Sequence, residues 1–242
     1  MELQFNSIRK GIKDVWWRPY MVSGADFSRS GYDIPYCPTT AVCIPCMIIT
    51  YDEAKRIYRQ QLRNGHKDFM HMAYVCFYED DHEFDSKNGI WFNTSCAYRI
   101  LCHFAGIITP DFSTYQDFPV PLKYWNTYRM RAFGYWYGMI CGHAVINNVR
   151  WGTPESWRYC FDGIPDNSIV CIGTAGGSPK KLIDRKRFEE GLEELVLVRK
   201  PHTILVYGSA SYPCFYKLID QGIKVVSYPS RTASAFERRR AR

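Results

Sequence analysis

No run of about 18 or more apolar residues occurs anywhere in the 242-residue chain, so a helix that crosses a bilayer is not expected, and neither is a membrane partner. The opening stretch MELQFNSIRKGIKDVWW lacks the apolar core of a secretory signal. Ten cysteines are present, but they stand singly in apolar segments such as AYVCF, SIVCIGT and RILCHF, as core thiols do and as a disulfide framework does not. A reducing cytoplasm is therefore the expected compartment. H-E-x-x-H, the G-x-S-x-G nucleophile elbow, the P-loop pattern and the dinucleotide fingerprint are all missing, and with them the usual signatures of zinc peptidases, serine hydrolases and two large nucleotide-binding classes. Without an internal repeat, a low-complexity tract or a linker, residues 1–230 divide most simply as one domain.

The chain is 46% hydrophobic and 16% aromatic, enough for a sizeable core. Its net charge of +7 is uneven: the final twelve residues, RTASAFERRRAR, hold five Arg and one Glu and so supply +4. The body is only slightly basic. The tail 231–242 reads as a solvated end or, in the sharper reading, as a non-specific contact for nucleic-acid phosphates.

From Thr50 the chain alternates short β-branched runs with helical stretches. Thr50 and Glu53 form a capping box ahead of a helix that Gly65 closes. AYVCFYEDD reads as a strand leading into an acidic loop, AGIITPD, HAVINNVRW, SIVCIGT, TILVYGS and IKVVSYPS read as five more strands, and CIPCMII as a seventh. Leu122, Trp125, Ala132, Trp136 and Met139 are expected on one face of a helix, and Thr153 as the N-cap of another with Pro154 at its first position. Strands separated by helices pair in parallel through right-handed crossovers. The expected fold is α/β, a barrel-like or incomplete (β/α) barrel, with an open doubly wound sheet as the alternative. Residues 1–49, rich in Trp, Pro, Gly and Asp without a period, form an irregular cap.

In both folds the ligand site lies beyond the carboxyl ends of the strands. The residues there are Glu79, Asp80 and Asp81, then Thr109 and Asp111, then Asn147, Asn148, Arg150 and Trp151, then Thr174, Gly176 and Gly177, then Tyr207, Gly208 and Ser209, then Ser227 and Tyr228. Asp111 interrupts the apolar run GIITP abruptly, as a turn-capping carboxylate or as a site carboxylate would. VINNVRWG groups two amides, a guanidinium and an indole that suit a planar heterocycle or an anion; Arg150 pairing with Asp162 to brace its loop is an equal reading. GTAGGSPKK offers backbone N–H groups and two lysines to an anion, or simply a tight turn. Cys43 and Cys46 have the gap of a zinc half-site, but no second pair exists, so core thiols are expected there and no metal. No cofactor can be named from these residues.

The segments GIITPDFSTYQDFPVPLKYWNTYRMRAFGYW, VINNVRWGTPESWRYCFDGIPDNSIVCIGT and PHTILVYGS, taken together, resemble the domain of unknown function 4417 family, from about Ser23 to Ser230. The resemblance implies a phage, bacterial or mobile-element setting and carries no activity with it. Its motif residues Asp111, Arg150, Trp151, Thr174, Tyr207 and Gly208 fall at the strand ends read above. In layout, though not in motif, the chain is similar to barrel enzymes that exchange or hydrolyse nucleobases. The functional expectation is action on a nucleotide or nucleic acid, with Asp111 as nucleophile or general base, Arg150 and the AGGS backbone holding an anion, and Trp151 and Tyr207 stacking on a base. The alternative is a non-catalytic factor that binds a nucleotide or a host defence protein.

Overall fold

The computed structural model describes residues 16–174 and 182–233. Seven strands form one sheet: β1 (Ile48–Thr50), β2 (His71–Cys76), β3 (Phe104–Ile108), β4 (Val145–Asn148), β5 (Ile169–Gly173), β6 (Thr203–Tyr207) and β7 (Lys224–Tyr228). Every neighbouring pair is parallel, and the spatial order is the chain order, β1 to β7. The intervening helices are α1 (Tyr51–Arg63), α2 (Thr94–Leu101), α3 (Val120–Tyr135), α4 (Trp157–Cys160), α5 (Leu182–Arg199) and α6 (Pro213–Asp220).

That order decides between the two expected architectures. A doubly wound sheet reverses its strand order at a switch point, which throws helices onto both faces. Here the order never reverses, so right-handed crossovers place all helices on one face, and the sheet curls about the other into a half-barrel. The alternation of side chains along each strand serves both sides. Val75, Phe77, Ile107 and Val145 point out beneath the helices, as do Val170, Ile172, Ile204 and Val206. Tyr74, Cys76, Ile108, Ile146, Cys171, Leu205, Tyr207 and Tyr228 point inward and fill the concave side. β1 and β7 are the two edges of the sheet, and the Tyr228 hydroxyl donates to the Pro45 carbonyl at 2.5 Å across the gap between them.

Local chemistry sets both ends of α1. The Thr50 hydroxyl accepts from the Glu53 N–H at 3.3 Å while the Glu53 carboxylate accepts from the Thr50 N–H at 3.2 Å, the reciprocal cap expected for α1. Gly65, at φ +80°, turns the chain out of that helix.

Thr153 stands at the N-cap position with Pro154 first, as expected, but the element it opens is a 3-10 turn ahead of α4 and its side chain makes no cap bond; Ser156 donates to the Thr153 carbonyl at 2.7 Å and accepts from the Gly152 N–H at 2.9 Å. One expectation is corrected: the helix α3 has no single apolar face. Leu122 and Met139 are exposed, whereas Asn126, Thr127, Arg129 and Arg131 are buried with Met130 and Phe133. The loops that follow β2, β3 and β4 cover its polar residues, and the irregular N-terminal cap packs along the helix. Met21, Val22 and Cys37 join its core, Tyr135 donates to the Ser23 carbonyl at 3.3 Å, and Trp17 donates to the Tyr128 hydroxyl at 2.6 Å.

All ten cysteines are free. Cys76 and Cys171 are buried as expected, but Cys43 and Cys46 are exposed, because the segment before β1 skirts the sheet edge. Among the described residues, no three His, Cys, Asp or Glu side chains converge as metal ligands would, and no helix is long and apolar enough to cross a membrane.

Candidate functional site

The carboxyl ends of the strands open onto a cleft of about 560 Å³. Thr50 at the end of β1, Tyr78 to Asp81 after β2, Asp111 after β3, Asn148 to Trp151 at the end of β4, Gly173 on β5, Tyr207 on β6 and Ser230 after β7 all line it. Every strand therefore contributes, as the parallel curl requires.

Asp111 sits on the cleft floor because β3 is halted just before it. The buried Thr109 keeps the ladder, its N–H donating to Ile146 and its hydroxyl accepting from the Asn148 N–H at 2.8 Å. Pro110, with no N–H to give, ends the ladder. The Asp111 side chain, only 6% exposed, then turns inward. One carboxylate oxygen accepts from Asn148 Nδ2 at 2.9 Å, and the other accepts a short bond from Arg150. Asn148 Oδ1 in turn accepts from the Tyr78 hydroxyl at 2.8 Å. Asp111 raises the pKa of Arg150, and burial pushes the Tyr78 phenol well above its usual range, so it serves as a donor.

A second layer fixes this first one. Asn126 Nδ2 donates to the Ser113 carbonyl, and Arg129 donates to both oxygens of Asp85 at 2.6 and 2.8 Å while its guanidinium lies 3.8 Å above the Phe112 ring. Ser113 donates to Asp81 at 2.8 Å. Arg131 is fully buried and gives its guanidinium to three carbonyls, Asn148 at 2.9 Å, Cys160 at 3.0 Å and Asp162 at 3.1 Å. Burial lowers its pKa to about 10, still high enough to keep it charged near neutral pH. These α3 residues carry the WNTYR motif and the arginine after it, so the motif positions the loops of the cleft from below.

The acidic rim behaves differently. Burial raises the pKa of Glu79 and of Asp81; for Asp81 the neighbouring Asp85 and Asp111 add to the rise. Glu79 accepts from the Asp52 N–H at 3.2 Å, and so also caps the N-terminus of α1.

Of the residues expected at the site, Asp111, Asn148, Arg150, Trp151 and Tyr207 line the cleft. Asn147 does not, because alternation turns it to the other face of β4, where it donates to the Cys37 carbonyl at 2.8 Å. Thr174 donates to the Ser209 carbonyl at 2.9 Å, Gly208 holds φ +120° and bonds the Tyr228 carbonyl, and Ser209 is exposed beside them; these three shape the β5 and β6 ends away from the cleft. Gly176 and Gly177 lie outside the described residues, as do the rest of the AGGS loop and the tail beyond Ala233. Arg150 pairs with Asp111 and not with Asp162, which is held by Arg199 at 3.3 Å.

The ring of Tyr207 is stacked on Tyr78, with centroids 5.2 Å apart and planes 17° from parallel, and its hydroxyl accepts from the Arg231 N–H at 3.0 Å. Tyr78, absent from the expected set, spans the concave side to rest on Gly173, where any Cβ would lie 2.8 Å from its ring. Its signal was available in the sequence: Tyr74, Cys76 and Tyr78 share one face by alternation. Tyr115, half exposed at the rim with Arg150 6.0 Å from its ring, had no such signal because its loop has no period. Trp151 leans back on α5, 5.2 Å from Phe188, and leaves only part of its indole to the cleft.

The family model described as Domain of unknown function (DUF4417) matches residues 27–229, which include all seven strands and most of the cleft. The chain belongs to the DUF4417 family. It is similar to the "Gene 1 protein" of Mycobacterium phage D29, with 32% identity over 190 residues that cover 76% of this chain and 63% of that protein. It is also similar to the "Gene 1 protein" of Mycobacterium phage L5, with 35% identity over 133 residues, 54% of this chain and 56% of that one. The chain thus spans less than two thirds of the length of these phage relatives. No solved structure matches it.

Proposed function

We propose that this DUF4417 protein binds a nucleotide or a nucleic-acid element with its base in the strand-end cleft, and that Asp111 is the carboxylate that reacts with or orients it. The observation that carries this reading is the Asp111 side chain itself: a carboxylate held on the floor of a cleft of nucleotide size by Asn148 and Arg150, with aromatic rings of Tyr115 and Trp151 at the walls. Such a carboxylate is oriented before a ligand arrives, as a general base or nucleophile needs to be. The kinship with phage proteins supports a role in phage or mobile-element biology.

A second reading is favoured by one feature of the same geometry. Both oxygens of Asp111 are already engaged, which suits a binding factor whose pair holds Arg150 in place without turnover. Incubating the protein with pools of nucleosides, nucleotides and short oligonucleotides, followed by mass spectrometry of products and of retained ligand, separates the two. A product that disappears in Asp111→Asn supports the enzyme; retention without a product supports the binding factor. Neither product nor retention would refute the nucleotide reading.

A further inference from the structure

The charges around the cleft bear on which part of a nucleotide it accepts, and the argument rests on the reading above. Among the described lining residues, five carboxylates (Glu79, Asp80, Asp81, Glu83 and Asp111) face two guanidiniums, Arg150 and Arg231. Both guanidiniums are already committed. Arg150 is paired with Asp111, and Arg231 reaches out of the cleft to Asp52 at 3.2 Å. Glu83 is matched by Lys55 at 2.9 Å. Glu79, Asp80 and Asp81 have no ion-pair partner among the described residues, and all three open onto the cleft. Among the described residues, a phosphate entering there would meet carboxylates that have no ion-pair partner across a partly desolvated space, where repulsion is weakly screened. Carboxylate oxygens are acceptors only, so they suit a ligand edge that presents N–H groups.

We infer that the cleft takes the uncharged, donor-bearing part of its ligand, a nucleobase or nucleoside with N–H groups turned toward Asp80 and Asp81, and keeps phosphate outside. The arrangement serves both parts of such a ligand: Tyr115 and the open part of the Trp151 indole line the cleft as aromatic surface for a planar heterocycle, while the acidic rim reads its edge. Each added phosphate then weakens binding, and it does so most at low salt.

The test is calorimetric titration of the full chain with guanosine, adenosine, cytidine and thymidine and with their 5′-mono- and triphosphates, in EDTA at low and high salt. The expected result is a nucleoside that binds at least tenfold more tightly than its own triphosphate, with the gap narrowing at high salt. Asp80→Asn and Asp81→Asn should each narrow it further; Asp80 is exposed, so its variant tests the charge even where Asp81→Asn disturbs the Ser113 bond. Affinity that holds or rises with phosphate number would overturn this inference and leave the nucleotide reading standing. A failure of every nucleoside, nucleotide and oligonucleotide to bind would overturn the nucleotide reading, and this inference with it.

Discussion

The pair at the cleft floor makes a prediction whose sign depends on the background in which it is measured. In Asp111→Asn the amide can keep its oxygen toward Arg150 or toward Asn148, but its NH2 then faces a donor on the other side. Asn148 cannot simply flip to accept it, because its own oxygen already accepts from Tyr78 at 2.8 Å. One hydrogen bond is lost together with the charge partner of Arg150. Losing a charge-assisted bond costs about 1.5–3 kcal/mol, and Arg150 is 33% exposed, so water recovers part of it; the expected cost is about 1–3 kcal/mol. For a domain of this size that lowers Tm by about 2–4 °C per kcal/mol.

Arg150→Ala should cost more, about 2–4 kcal/mol, since it leaves a carboxylate that is 6% exposed with only Asn148 for company. In the Arg150→Ala background, Asp111→Asn removes that stranded charge and should restore stability. A double-mutant cycle by urea denaturation reads the coupling directly. A coupling below about 0.5 kcal/mol, with Asp111→Asn equally costly in both backgrounds, would refute the claim that this pair organises the cleft floor.

Three further outcomes follow from the layers around it. Arg131→Met strands the carbonyls of Asn148, Cys160 and Asp162 and should cost about 3–5 kcal/mol, whereas Arg131→Lys keeps donors without the planar fork and should cost less; a loss under about 1 kcal/mol for Met in chemical denaturation would contradict the bracing role. Gly191→Ala should cost about 1–3 kcal/mol and displace Trp151 from the cleft wall, because the new Cβ would lie 2.1 Å from the indole; unchanged melting and unchanged ligand affinity would show that the packing is looser than this. Burial raises the Glu79 pKa above 4.5, so the folded state binds its proton more tightly than the unfolded chain does. The stability from that proton is present at or below pH 4.5 and is lost as pH rises through the folded-state value, so Glu79→Gln should gain on the wild type between pH 4.5 and 7.5; urea midpoints at the two values check the slope, and the opposite slope would refute it.

Much of the fold was legible along the chain because its causes are local. The capping box of Thr50 and Glu53, the glycine exit at Gly65 and the β-branched runs act over a few residues, and the seven strands lie where those runs lie. Strand-end placement followed from parallel pairing, and it brought Asp111, Asn148, Arg150, Trp151 and Tyr207 to the cleft. It overreached at Asn147, since naming consecutive residues ignores the alternation that sends every second one to the far face.

What the sequence determined by itself was the alternation of elements, their caps and the set of polar residues delivered to one end of the sheet, because each depends on neighbours within a turn or a strand. Tertiary structure alone decided which of those residues meet. The strand order without reversal, which curls the sheet, carries Tyr78 across to Gly173 and Tyr207, joins Arg150 to Asp111 in place of Asp162, and commits Arg231 to Asp52. The loops that follow β2 and β4 bury the polar side of α3 and so turn Arg129, paired with Asp85, and Arg131, bonded to the Asn148 carbonyl, from surface charges into braces. Those pairings join residues tens of positions apart, where no local propensity acts and where only the shared burial of charges and their partners selects one match over another.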